Sequence, residues 1–70
     1  MKALIIGGAG FVGGYLARHL IEEYGWEIAI TKMENEEVKN ENVEVFNLNI
    51  LNIEEIEKVL KQANADIYFI

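Results

Sequence analysis

The sequence has no cysteine and a single histidine, His19. Disulfide staples and thiolate metal sites are thereby excluded, and one imidazole does not make a structural zinc site. Positive charge is scarce as well: six Lys and Arg stand against twelve Asp and Glu, for a formal net charge of −6. Nucleic acids and anionic membranes both attract a basic surface, so neither is an expected partner. No apolar run approaches the ~20 residues of a membrane span. Met1-Lys2 leads directly into an apolar run and then glycines, without the ordering of a signal peptide. A cytoplasmic location is the expectation. Seventy residues also leave little core, because a chain of this size buries only about 60% of its unfolded surface. A partner subunit, or more chain, is expected to make up that deficit.

What is present is concentrated near the start. Ala3-Leu4-Ile5-Ile6 is a continuous apolar run, the mark of a strand buried on both faces in a parallel sheet. It feeds Gly7-Gly8-Ala9-Gly10-Phe11-Val12-Gly13, which opens an apolar-periodic helix from Gly10 to Tyr24. The expected stripe of that helix is Val12, Leu16 and Leu20, widened by Phe11, Tyr15 and Ile21, and Gly25 stands where a left-handed C-terminal glycine belongs. Gly8, Gly10 and Gly13 satisfy G-x-G-x-x-G, while Gly7, Gly10 and Gly13 satisfy G-x-x-G-x-x-G. Either spacing, between a strand and a helix, is the geometry of a dinucleotide phosphate site. Glycine allows the turn and lets a pyrophosphate reach the backbone, and the helix start offers unpaired N–H groups to the anion. The plainer alternative is a tight turn whose last glycine only permits close packing. A pyrophosphate over Gly10 to Gly13, on the N–H groups of Phe11 and Val12, is the reading adopted.

The remaining chain supplies the rest of a sheet. Trp26 to Thr31 reads as a second strand, Lys32 to Asn42 as a solvated acidic loop or ragged turn, and Val43 to Phe46 as a third strand. Asn52, with Glu55 three residues on, caps a second helix whose stripe is Ile53, Ile56, Val59, Leu60 and Ala63. Asn64 ends it, and Ala65 to Ile70 is a fourth strand. His19 lies mid-helix, far from the glycines, and reads as a packed or half-exposed residue. The order β-α-β-β-α-β with right-handed crossovers predicts a parallel α/β sheet of strand order 3-2-1-4, half of a doubly wound domain spanning residues 1–70.

The run Gly7-Gly8-Ala9-Gly10-Phe11-Val12-Gly13-Gly14-Tyr15-Leu16 resembles the start of extended short-chain dehydrogenase/reductases, the NAD(P)-dependent nucleotide-sugar epimerases, dehydratases and reductases. Ala9-Gly10-Phe11-Val12-Gly13 with Tyr15-Leu16-Ala17-Arg18-His19-Leu20 is most similar to GDP-mannose 4,6-dehydratases and GDP-4-keto-6-deoxymannose reductases. Asn47 to Asn52 resembles the family's segment after the third strand, and Asp66-Ile67-Tyr68-Phe69-Ile70 its fourth strand. The resemblance implies a Rossmann fold, an NAD or NADP cofactor, and a chain that covers only the first part of a family member. It also implies that the catalytic Ser/Thr and the Tyr-x-x-x-Lys pair lie outside these residues: four positions after Tyr15 stands His19, not lysine. An NAD-binding member carries an acid at the end of the second strand. Here Lys32 stands there, which would favour the 2′-phosphate of NADP; the plainer alternative is an ordinary solvated lysine. Asn49, with Ile50 beside it, replaces the family's aspartate near the adenine, and its amide oxygen can still accept a hydrogen bond. A self-standing, non-catalytic nucleotide-binding or self-assembling module is the alternative, and the exposed edge of the fourth strand is the expected surface for a homo-oligomer.

Overall fold

A computed structural model describes residues 1–38 and 42–70. The acidic run from Lys32 to Asn42 includes Lys39, Asn40 and Glu41, which lie outside the described residues. The elements follow in the order β1 (Lys2–Ile5), α1 (Phe11–Tyr24), β2 (Glu27–Lys32), β3 (Glu44–Asn47), α2 (Ile53–Ala63) and β4 (Ile67–Phe69). All strand pairs are parallel, and the sheet order is β3-β2-β1-β4. The expected half-sheet is therefore the observed one.

Its core has two layers because β1 alternates. Ala3 and Ile5 face α1, where they join Ala17, Leu20, Ile28 and Ile30. Leu4 faces the other way and joins Ala29, Leu48, Val59 and Ala63 beneath α2. A strand with apolar residues at every position fits only between two covering layers. β1 is that strand, with Ala3 and Leu4 fully buried.

The helix stripes differ from expectation. Val12 and Tyr15 are exposed, and α1 buries Ala17 and Leu20 with Leu16 and Ile21 partly packed beside them. The cause is the seat of Gly13. A side chain there would meet the Gly8 backbone at 2.6 Å, so the Gly13 face must point inward. At 3.6 residues per turn, positions 16, 17 and 20 share that face and positions 12 and 15 turn away. In α2, Ile53 is likewise exposed, while Val59 and Ala63 are buried and Ile56 and Leu60 pack against them. The stripe reaches the sheet only after the first turn.

The helix ends behave as read. Gly25 is left-handed (φ 66°) and its N–H donates to the Ile21 carbonyl. Asn52 Oδ1 accepts from the N–H groups of Glu54 and Glu55 (3.1 and 3.3 Å), and Asn64 closes α2 in the left-handed region at φ 45°. The capping box is one-sided, since the Asn52 N–H donates to the Asn49 carbonyl instead. Strand boundaries shift by one or two residues. Trp26 is outside β2, its N–H turned back to the Leu20 carbonyl of α1. Ile6 has left β1 yet still donates to Phe69 O at 2.8 Å. β4 is shorter than Ala65–Ile70: Asp66 caps its start, taking the Lys2 N–H on Oδ2 (2.9 Å) and donating its own N–H to Lys2 O (2.8 Å). His19 is exposed and meets Tyr24 edge-on at 5.9 Å, a surface contact on α1.

Candidate functional site

The three loops at the carboxyl end of β1, β2 and β3 lie at one edge of the sheet, where open α/β sheets take their ligands. The first is the glycine turn, and its glycines have separate tasks. Gly7 is left-handed (φ 75°), a conformation that costs other residues roughly 1–2 kcal/mol. Its N–H donates to Thr31 Oγ1 at 2.7 Å. Gly8 is buried, and a Cβ on it would meet Ile30 Cγ2 at 2.7 Å and Ile5 Cγ2 at 3.2 Å. Gly13 lies on the Gly8 backbone, as described above. Both three-glycine spacings are thus satisfied at once, because Gly7 shapes the turn and Gly8 lets it settle on the strands.

Gly10 is different. Its φ of −72° suits any residue, and the nearest atom to an added Cβ is Gly7 O at 3.9 Å. Nothing in the fold itself requires glycine there; a side chain would instead project into the space before α1. That helix start has no side-chain cap and no acidic residue in its first turn. The first α1 amide with a helical acceptor is that of Gly14, bonded to Gly10 O at 2.9 Å. The N–H groups of Phe11, Val12 and Gly13 come before it and have no carbonyl of the helix itself one turn back. Together with the positive end of the helix dipole they suit an anion. A diphosphate fits this donor set, and a glycine without a packing role at its mouth is the cradle a Cβ would fill.

The second loop follows β2. Lys32 Nζ is turned to the Met33 carbonyl at 3.5 Å. Met33 N–H donates to Glu36 Oε1 (2.9 Å), and Glu36 N–H donates to Met33 O (3.0 Å). The Glu36 carboxylate thus closes a turn just past the end of β2. Glu34, Glu36 and Glu37 are exposed, as expected of a solvated acidic run, and the turn closed by Glu36 is the added local detail. In the third loop, the Leu48 N–H extends β3 by donating to Lys32 O at 2.9 Å, and Leu48 is buried. Asn49 then starts a turn: its Oδ1 accepts the Leu51 N–H (3.0 Å) and its carbonyl the Asn52 N–H (2.9 Å). This leaves Asn49 Oδ1 one further acceptor position. Ile50 and Leu51 form the exposed tip of the turn. The site brings Gly7, Gly10, Phe11, Val12 and Gly13 into one loop, with Lys32 at the end of the neighbouring strand and Asn49 and Ile50 at the end of the next. Among the described residues, no group of three or more His, Cys, Asp or Glu is placed to hold a metal, and no helix is long and apolar enough to cross a membrane.

A parallel sheet of order 3-2-1-4, with a glycine turn between its central strand and an uncapped helix start, is a Rossmann-type α/β domain. The chain belongs to the NAD-dependent epimerase/dehydratase family, whose model matches residues 3–70. Among solved structures it is similar to UDP-glucose 4-epimerase of Thermotoga maritima, determined with UDP-glucose, at 24% identity and TM-score 0.80, covering 100% of this chain and 24% of that one. UDP-glucose 4-epimerase of Thermus thermophilus in complex with NAD gives 24% identity and TM-score 0.79, covering 91% of this chain and 21% of that one. L-threonine dehydrogenase of Clostridium difficile gives 25% identity and TM-score 0.72, covering 96% and 22%. The chain spans about a quarter of the length of these structures or slightly less.

Proposed function

We propose that these 70 residues are the NAD(P)-binding N-terminal part of a nucleotide-sugar epimerase, dehydratase or reductase. The observation that carries this is Gly10, a glycine without a packing role in front of three open helix amides, in a chain of this family. The dinucleotide's diphosphate lies over Gly10 to Gly13 on the Phe11 and Val12 N–H groups, its adenine beside Asn49 and Ile50, and its ribose near Lys32. The nicotinamide supplies hydride transfer when bound. The residues that move the proton are read as lying outside these 70 residues: four positions after Tyr15 and Tyr24 stand His19 and Ile28, not lysine. The chain alone is therefore catalytically incomplete. Within the family, the Ala9 to Leu20 run favours the GDP-mannose 4,6-dehydratase and GDP-4-keto-6-deoxymannose reductase group.

Lys32 favours NADP over NAD. A charge-assisted contact to the 2′-phosphate is worth about 1.5–3 kcal/mol when well made and less in water. The expected preference of the wild type is about tenfold or less. Calorimetric titration with both cofactors tests the site and the preference together, and Lys32→Glu is expected to reverse the order. No binding of either cofactor would overturn the dinucleotide site; tighter NAD than NADP binding by the wild type would overturn the role of Lys32.

The partner proposed for the chain itself is a second copy, through β4. That strand ends the sheet order, with Tyr68 and Ile70 exposed on it and beside it. Its ladder groups on the outer side invite another strand, and burying Ile70 would contribute roughly 1.5–3 kcal/mol. Sedimentation equilibrium is expected to show concentration-dependent dimerisation. A constant monomer mass across the range would favour the self-standing alternative.

A further inference from the structure

Among the described residues Thr31 is the one buried polar side chain, 2% exposed, and the glycine fingerprint does not include it. It stands one residue beyond the last β1–β2 pair, Ile5 with Ile30, beside the chain as it leaves the strand. There Oγ1 accepts the Gly7 N–H at 2.7 Å. The contact begins a series: Gly7 O accepts the Gly10 N–H, at a long 3.4 Å, and Gly10 O accepts the Gly14 N–H at 2.9 Å. Through it, a hydroxyl on β2 is linked to the first bonded turn of α1. Gly7 is also the residue whose left-handed backbone decides where the loop goes, and glycine holds that conformation no better than several others. Something outside the turn must select it. Gly7 itself is exposed and its bond to Oγ1 is part-buried, so without the hydroxyl the N–H turns to water and the loop loses its tie to β2.

We propose that Thr31 is a positioning residue: its hydroxyl locks the Gly7 peptide and so fixes Gly10 and the open amides of Phe11 and Val12 in the shape that takes a diphosphate. Valine has nearly the same shape as threonine and lacks only the acceptor. The effect on binding rests on the dinucleotide reading above; the effect on the Gly7 amide does not.

The test is hydrogen exchange of the Gly7 amide, read by NMR without ligand, together with calorimetric titration of NAD and NADP. Wild type is expected to protect Gly7. Thr31→Val should exchange it about tenfold faster and bind both cofactors about tenfold more weakly, while the protection of Leu4 and Ala29 is unchanged. Thr31→Ser, which restores the acceptor, should recover both readouts. If Thr31→Val does not fold, Thr31→Cys, whose sulfur is a weak acceptor, must show the same ordering. An unprotected Gly7 in the wild type, or equal Gly7 exchange in Thr31→Val, overturns the lock. Faster Gly7 exchange with unchanged affinity overturns its role in binding. Absence of binding in the wild type, with Gly7 protected, overturns the dinucleotide reading and leaves a lock on the turn alone.

Discussion

Gly10→Val is expected to keep the fold and lose dinucleotide binding. The backbone at residue 10 is extended (φ −72°, ψ 170°), a region β-branched residues favour, and a Cβ there meets nothing closer than 3.9 Å. The substitution trades one uncapped helix start for another, at a cost of about 1 kcal/mol or less. The ligand meets a different situation. An isopropyl group stands where a diphosphate must approach the Phe11 and Val12 N–H groups, and each charge-assisted bond lost is worth about 1.5–3 kcal/mol. Two such bonds correspond to a loss of roughly 10²–10⁴-fold in affinity. Circular dichroism should show an unchanged helical signal and a melting temperature within a few degrees of wild type, with no heat of binding in titration. Wild-type affinity in this variant would remove the diphosphate from the glycine loop.

Gly13→Ala is expected to fail in the opposite way, in the fold. The added carbon would lie 2.6 Å from Gly8 Cα, 2.8 Å from Gly8 O and 2.9 Å from Gly8 C. All three are backbone atoms, so no rotamer change relieves them. Nor can the loop retreat, since Gly8 is already against Ile30 and Ile5. The start of α1 must therefore lift from the sheet and loosen Leu16, Ala17 and Leu20 from β1 and β2. Overpacking of this kind costs about 1–3 kcal/mol, occasionally more, against a total of roughly 4–10 kcal/mol for a chain of this length. A fall of roughly 10–20 °C in melting temperature is expected, with ligand affinity lost as a consequence. A melting curve equal to wild type would mean that α1 does not rest on Gly8.

The two variants also mark what could be read from the residues. The glycine spacing announced the loop, and the apolar run of β1 announced a strand covered on both faces, because those patterns have few other physical solutions. The spacing did not say which glycine serves the fold and which the ligand. That depends on distances to Ile30, Ile5 and Gly8, which are set by how α1 seats on the sheet. The same seating turned Val12 and Tyr15 outward, although periodicity alone put them in the stripe. Thr31 was legible only as a strand residue, since its hydroxyl gains meaning from a Gly7 peptide that is 24 positions away. The turn at Glu36 was not legible for another reason: among several glutamates, composition cannot distinguish the one that takes the Met33 N–H just past β2.

The place of β1 between β2 and β4 has a consequence in time. Ala3 pairs with Ile28 on one side and with Ile67 on the other, so β1 waits far longer for β4 than for β2. At 5–20 residues per second, the ribosome needs roughly 3–13 s to add the intervening chain. During that interval β1, β2 and α1 can associate, but the side of β1 destined for β4 presents bare Ala3, Leu4 and Ile5 backbone. Pairings of such sequence separation also slow folding after release. The nascent chain is therefore most exposed to misassembly before Asp66 reaches Lys2, and the two hydrogen bonds between those residues close the gap where β4 meets β1.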